Sequence, residues 1–317
     1  MPRAGLAVDM FFVMSGFVLA HSYQHRFDAG MTSWQFIKSR LIRLWPLYAL
    51  GTSIAVTMLL FGGNDNTLSP KFASSLLFAL VFLPTPIPLS VTSQPFPFDG
   101  PAWSLFFELG VNSAWVVLLR RSRLPTLIAT CGVAATIIVV SGGTVDAFNS
   151  GMPRVAFSFF AGILSYAAWK RWPADWRFGA FGAPIVLVGA FMLFAAPVSG
   201  AFISLYQLGC MALFPVLIWA GAKVSVHGVA ATVMKVLGIS SYAIYILHEP
   251  VFSLLEKSGV FSAWPRLPAP FIAMCMLLFV IVLAPFVDIT FDRPVRRWLT
   301  AKFLPVRRIQ APSHVQP

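Results

Sequence analysis

Apolar residues along the chain occur in long runs separated by short polar segments. Nine runs are about as long as a helix needs to cross a hydrocarbon core of about 30 Å. They are Leu6–Tyr23, Leu44–Gly62, Ala102–Leu119, Leu124–Gly142, Val155–Trp169, Phe178–Ala196, Ala201–Ala222, Val236–Leu255 and Pro268–Ile289. The pattern predicts an all-α, polytopic membrane helix bundle with nine spans.

One further apolar segment, Phe72–Leu83, does not fit as a span. If it crossed the membrane, the alternation of basic loops along the rest of the chain would be broken. The segment after it, "PTPIPLSVTSQPFPFDGP" (84–101), is rich in proline and cannot form a regular helix. We therefore predict a re-entrant or short element that dips in from the outer side and folds back.

Composition agrees with this picture and excludes a water-soluble globule. Hydrophobic residues make up 58% of the 317 residues and charged residues only 11%. The net charge of +12 does not indicate a nucleic-acid partner, because Lys and Arg lie at the ends of apolar runs. Alternating the nine spans puts 18 of the 23 basic residues on one side, as the positive-inside rule requires of the cytoplasm.

This assignment gives a multi-pass protein with a cytoplasmic C-terminus and with residue 1 outside. We predict one transmembrane domain over residues 1–302 and a basic cytoplasmic tail over 303–317. Cys131, Cys210 and Cys275 lie inside apolar runs, which argues against a disulfide framework. No HExxH motif, Gly-rich phosphate loop or GxSxG elbow is present, so we predict no metal site.

Three ionisable residues lie within or at the ends of predicted spans, where a charge is costly and usually faces a cavity or a partner. Asp9 is in the first span, and capping or snorkelling is an alternative to function. Glu108 follows Ser104 by four residues and Trp103 by five, so the three share one side of a helix. His248 precedes Glu249 and Pro250, and its alternative is a satisfied interface residue.

Four other residues complete the candidate set. Ser15 precedes Gly16, and this pair is explained equally by close helix packing. Tyr242 lies in the same span as His248. Arg40 and Arg43 stand three residues apart, which on a helix presents two guanidinium forks that suit phosphate oxygens, although both also fit as simple cytoplasmic anchors.

Four segments together resemble the acyltransferase 3 family of membrane-bound O-acyltransferases, which act on bacterial surface carbohydrates and related acceptors. They are "GLAVDMFFVMSGFVLAH", "FIKSRLIRLWPLYAL", "PAWSLFFELGVN" and "LGISSYAIYILHEPVF". The resemblance implies about ten helices in the bacterial inner (plasma) membrane. It also implies acyl-CoA, in particular acetyl-CoA, as co-substrate on the cytoplasmic side, a carbohydrate or glycolipid acceptor at the outer side, and no bound cofactor.

By motif, the resemblance assigns Arg40 and Arg43 to the phosphates of the donor. It assigns Asp9 and Glu108 to a central cavity, together with Ser15, Trp103 and Ser104. Tyr242 and His248 match a late motif, and Glu249 adjoins it as a cavity residue.

The sequence departs from the family at its beginning. A first helix with an Arg and a downstream His proposed to act in acyl transfer is expected before Gly5. One more span would also give a cytoplasmic start. The chain is therefore expected to be truncated, to start late or to be inactive, and His248, oriented by Glu108 or Glu249, is the substitute base.

The working hypothesis is an O-acyltransferase with Asp9, Glu108 and His248 as catalytic candidates. The main alternative is an inactive or transport-type family member that binds an acylated or acidic small molecule. A purely structural partner in a polysaccharide assembly complex is the third reading, and it leaves the polar residues unexplained.

Overall fold

The computed structural model describes residues 2–61, 69–120, 124–141, 151–172, 203–222, 224, 226–260 and 268–304. Within these ranges the chain is helical and contains no strand, which confirms the all-α prediction. The helices are α1 (Pro2–Asp28), α2 (Ser33–Phe61), α3 (Pro70–Leu80), α4 (Ala102–Ala114), α5 (Leu124–Val140), α6 (Gly151–Arg171), α7 (Ile203–Gly221), α8 (Gly228–Lys257), α9 (Ala269–Val287) and α10 (Arg293–Phe303). A π-helical turn, Trp115–Leu119, extends α4, and another, Asp288–Asp292, joins α9 to α10.

The described helices account for eight of the nine predicted membrane spans. In the described part of the chain, four helical stretches are long and apolar enough to cross a membrane: Gly5–Asp28, Ser33–Leu60, Gly228–Lys257 and Pro270–Phe303. Other predicted spans coincide with shorter apolar helices, α4, α5 and α7, and with α6. The predicted span 178–196 lies outside the described residues. The protein is thus a multi-pass helical membrane protein.

The surface of α9 is that of a helix in contact with lipid. Val282 and Phe286 are 74% and 64% exposed, and most of the helix is apolar on every side. In water such a surface would associate with other apolar surfaces, so the bilayer is the solvent it requires.

The short helix α3 explains the segment that did not fit as a span. Its 11 residues reach only about 16 Å, half of what a crossing needs. After Phe82, which has a positive φ of 58°, the chain turns and runs back along α3. Ser74 donates to the Leu89 carbonyl and Ser75 accepts from the Val91 amide, so the Pro-rich segment is fastened to α3. The expected folded-over element is present.

Helices α1 and α6 approach each other more closely than any side chain larger than hydrogen allows. A Cβ added at Gly16 would lie 2.0 Å from the Phe159 carbonyl oxygen, and one added at Gly162 would lie 2.0 Å from that of Val13. Each glycine thus sits on the backbone of the partner helix. This reciprocal contact is how small residues let membrane helices pack.

Helix α4 is the central wall of the bundle. Its Phe107 and Val111 pack into an apolar cluster with α1, α5 and α6, which includes Phe159. Its Leu105 packs into a second cluster with α2, α8 and α9, which includes Ile246. A polar side chain on α4 between these clusters is therefore enclosed by protein on both sides, and Glu108 occupies that position.

We predict that Gly162→Ala destabilises the protein while Gly110→Ala does not. The first adds a methyl group against backbone, which costs at least about 2 kcal/mol as overpacking, whereas nothing lies within 4 Å of a Cβ at Gly110. Thermal unfolding of the two variants in detergent measures the difference. Equal melting temperatures would contradict the close packing of α1 and α6.

Candidate active site

A buried ion pair lies where α1, α2 and α4 meet. Arg40 Nη2 donates to Glu108 Oε1 at 2.5 Å, and Ser15 Oγ donates to the same oxygen at 3.2 Å. The side chains of Arg40 and Glu108 are only 13% and 2% exposed. We call Ser15, Arg40 and Glu108 the polar centre. It joins a predicted donor residue, a predicted catalytic residue and a predicted cavity residue that are distant in sequence.

The polar centre has unused hydrogen-bonding capacity. Glu108 Oε2 and Arg40 Nε are buried and have no hydrogen-bond partner within the described part of the chain. A buried carboxylate oxygen and a buried guanidinium N–H are costly to leave unpaired. Their arrangement fits a site that takes up a polar ligand group, one that accepts from Arg40 and donates to Glu108.

Asp9 belongs to a separate ion pair. Arg154 Nη2 of α6 donates to Asp9 Oδ2 at 2.6 Å, and both side chains are largely buried. Gly5 makes room for this arginine, since a Cβ there would lie 2.6 Å from Arg154 Nη2. Asp9 is two turns from Ser15, about 9 Å along α1. The structure therefore pairs Asp9 with α6 and not with the other candidate residues.

Ser104 and His248 are linked through Tyr245, which the sequence reasoning had not included among the candidates. The Ser104 and Tyr245 hydroxyls are 2.7 Å apart, and the Tyr245 ring stacks on Phe11 at a centroid distance of 6.1 Å. His248 Nδ1 lies 2.5 Å from the Tyr245 carbonyl oxygen. Since a carbonyl only accepts, a neutral His248 carries its proton on Nδ1 and leaves the lone pair of Nε2 available.

The sequence predicted that a carboxylate orients His248, whereas the ring contacts a backbone carbonyl. Among the described residues, no hydrogen bond joins the His248 ring to Glu108 or Glu249. The side chain of His248 is exposed, in the half of α8 predicted to be the outer one. From the contact of Tyr245 with Ser104, His248 lies about 10 Å from Glu108 along the bundle axis.

Glu249 lies beside a buried acid that the sequence reasoning missed. A Cβ at Gly100 would be 2.6 Å from Glu249 Oε2, and the preceding residue, Asp99, is 2% exposed. Neither carboxylate oxygen of Asp99 has a hydrogen-bond partner among the residues that the structure describes. Burial, reinforced by the charge of Glu249, raises the pKa of Asp99 well above its usual range. The available signal was an Asp within the aromatic, Pro-rich stretch "PFPFDGP" (95–101).

Trp103 and Tyr242 connect the elements around the site. Trp103 packs on Phe107 of the same helix and against Gly151, where α6 begins. The Tyr242 hydroxyl donates to the Leu44 carbonyl of α2, so it ties α8 to α2. Both residues thus support the helices that carry the polar centre.

Arg40 and Arg43 do not form the expected double fork. Arg40 turns to Glu108, whereas the guanidinium of Arg43 lies 5.8 Å from the centre of the Tyr242 ring. Arg43 also lines a pocket of about 710 Å³ with Arg293, Arg296 and Arg297. These three arginines were read from the sequence only as topology signals, although their i, i+3 and i+4 spacing places them on one side of a helix.

Comparison with known proteins identifies the family of the chain. The family model described as an acyltransferase domain, acyltransferase 3, matches residues 3–287. The chain belongs to the acyltransferase 3 family. It is therefore an acyltransferase of the class that moves groups other than aminoacyl groups, and the resemblance stated from the four segments is confirmed.

Three curated relatives match along the chain. Acyltransferase MdmB of Streptomyces mycarofaciens is 26% identical over 325 aligned residues, covering 93% of this chain and 81% of the relative. Exopolysaccharide production protein ExoZ of Rhizobium meliloti (strain 1021) is 27% identical over 269 residues, covering 80% and 78%. Protein 2 in picA locus of Rhizobium radiobacter is 32% identical over 148 residues, covering 43% and 77%. No solved structure matches the chain.

We predict that Arg40→Gln and Glu108→Gln each destabilise the protein more than the double variant does. Each single change leaves one buried charge without its partner, at about 3–5 kcal/mol, whereas the double change removes both charges. A double-mutant cycle on melting temperatures in detergent measures the coupling. Additive effects would mean that the two side chains do not interact.

We also predict that Asp99→Asn stabilises the protein, and more at about pH 8 than at about pH 5. Because the pKa of Asp99 is raised on folding, the folded state binds this proton more tightly than the unfolded state. Stability is therefore lost as pH rises from the unfolded pKa, about 3.9, towards the raised value. The neutral amide removes that loss.

The measurement is the melting temperature of both proteins at the two pH values, with an expected gain of about 2 °C or more at the higher pH. Asp28→Asn, a change at an exposed acid, is the matched control. A pH dependence that is unchanged in Asp99→Asn would show that Asp99 does not cause it.

Proposed function

We propose that this protein is an O-acyltransferase of the bacterial inner (plasma) membrane with a cytoplasmic C-terminus. It moves an acyl group, in the first instance acetyl, from acyl-CoA to a hydroxyl of a cell-surface or exported carbohydrate or glycolipid. Family membership supports the reaction class. The name of the exopolysaccharide production relative supports the acceptor class.

The observation that carries the proposal is the polar centre with its unpaired Arg40 Nε and Glu108 Oε2. A guanidinium in a protein-enclosed, low-dielectric site stabilises negative charge as it develops on a carbonyl oxygen. A thioester carbonyl placed at Arg40 thus becomes more susceptible to attack. Glu108 fixes the arginine in place through its other oxygen.

His248 is the proposed general base. Its Nε2 takes the proton from the acceptor hydroxyl, whose oxygen attacks the thioester carbonyl. The resulting oxyanion accepts hydrogen bonds from Arg40, and the intermediate collapses with loss of the CoA thiolate, which takes up a proton. Arg40, the thioester carbonyl, the acceptor hydroxyl and His248 then follow one another in three contacts of about 3 Å each. Together these contacts fit the separation of about 10 Å along the bundle axis between His248 and Glu108, the partner of Arg40.

The direct test uses purified protein in lipid nanodiscs with labelled acetyl-CoA and a panel of exported polysaccharide fragments and sugar lipids. We expect release of CoA that depends on the glycan, together with transfer of label to it. Absence of both for every acceptor would reject the proposed reaction. Label recovered on protein or lipid alone would reject the carbohydrate acceptor.

We predict that His248→Gln lowers kcat by about 100-fold or more, the contribution expected of a general base. The change should leave the melting temperature intact, because the side chain is exposed and its hydrogen bond among the described residues is to its own helix. His227→Gln at the other end of α8, also exposed, is the matched control. A kcat that falls equally in both variants, or in neither, would remove His248 from the mechanism.

A further inference from the structure

The pocket beside Arg43 lies between α2, α8 and α10. Its lining includes Arg43, Ile239, Arg293, Arg296, Arg297 and Thr300, and its volume of about 710 Å³ is within the range of small-molecule sites. Four of these six side chains are guanidinium groups. We call this the basic pocket.

Two buried acids hold part of the basic pocket in place. Asp288, in the π turn between α9 and α10, accepts from Arg293 Nε at 2.7 Å and from Arg296 Nη2 at 3.0 Å. Asp292 Oδ2 forms an ion pair with the same Arg296 nitrogen at 2.7 Å. Both carboxylates are 1% exposed, so they orient the two arginines from inside the bundle.

The basic pocket nevertheless keeps excess positive charge. Four guanidinium groups face two carboxylates, so two charges remain when both acids are ionised. Among the described residues, Arg43 and Arg297 form no ion pair and Arg296 Nε has no hydrogen-bond partner. Preorganised guanidinium forks with a surplus of two charges match phosphate groups, which accept bidentate hydrogen bonds.

The position of the basic pocket relates it to the polar centre. Arg43 lines the pocket, and Arg40 lies one turn away on the same helix, about 4.5 Å along its axis. A ligand held by its phosphates at Arg43 therefore has Arg40 within reach of a flexible arm. An acyl-CoA has this form, with its phosphates at one end and the thioester at the other.

We propose that the basic pocket binds the phosphate groups of the acyl donor and that α10 supplies three of its four arginines. This inference rests on the proposed function, because it names the donor site of that reaction. It places Arg293, Arg296 and Arg297 beside Arg43 as donor-binding residues. Arg40 then contacts the thioester end of the donor.

The test measures the Kd of CoA for the full chain in nanodiscs of zwitterionic lipid. Arg297→Gln should raise Kd about tenfold or more, the effect of losing a charge-assisted hydrogen bond to phosphate. Arg297→Lys, which keeps the charge, should restore most of the affinity. Lys302→Gln removes one charge from the same helix outside the pocket and should change Kd less than about twofold.

Anionic lipid headgroups carry the same phosphate chemistry, so a second arm distinguishes them. Nanodiscs containing phosphatidylglycerol are compared for lipid retained by each variant in native mass spectrometry. Loss of retained lipid in Arg297→Gln with an unchanged Kd for CoA would assign the basic pocket to lipid and overturn the proposal. An unchanged Kd in Arg297→Gln without any lipid effect would overturn it as well.

The proposed reaction and the proposed donor site can be rejected independently of each other. Acyl transfer that proceeds while Arg297→Gln leaves the Kd of CoA unchanged would reject the basic pocket and keep the enzyme reaction. CoA binding that weakens in Arg297→Gln, without transfer to any acceptor, would keep the basic pocket as a nucleotide site and reject the reaction.

Discussion

The ion pair between Arg40 and Glu108 is the constraint on which the rest of the structure depends. A charge inside a membrane bundle is retained only when a partner and enclosing protein offset the cost of removing it from water. Here one carboxylate oxygen receives hydrogen bonds from α1 and α2 while α4 carries it between two apolar clusters. The relative positions of the three helices are therefore set by a single acidic side chain.

From this constraint the functional surfaces divide into two ends. On one side of the polar centre, Ser104, Tyr245 and His248 lead to the end predicted to face outward. Towards the end predicted to be cytoplasmic, the arginines of α10 form the basic pocket together with Arg43. A donor and an acceptor entering from opposite ends would meet at Arg40. Such an arrangement suits a reaction whose two substrates come from different compartments.

Sequence patterns predicted the helices well, because a span is specified by local apolar length and needs no knowledge of its neighbours. The folded-over element that contains α3 could likewise be predicted from its length and from the prolines after it. Pairing was not. Arg40 and Arg43 are one turn apart, and nothing local states that one turns to α4 and the other to α10, since that choice depends on helix rotation within the bundle.

The same limit explains the missed residues. Asp99 lies in a segment without periodicity, so its burial follows only from how the connector folds onto α8. The positive-inside rule explained the positions of Arg293, Arg296 and Arg297. Because that explanation was sufficient, their place in a pocket was not predicted. Asp9 was correctly singled out as a costly charge, but its partner Arg154 comes from a helix far along the chain.

The glycine contact between α1 and α6 has a mechanical consequence. Backbone resting on backbone leaves no side chains that could slide or change rotamer, so these two helices behave as one rigid block, further locked by Asp9 and Arg154. Helix α8, in contrast, contains Pro250, which removes one backbone hydrogen bond, and it meets α2 at Gly51. The close-packed pair and the proline-containing helix thus differ in backbone support, and His248 lies on the latter, two residues before Pro250.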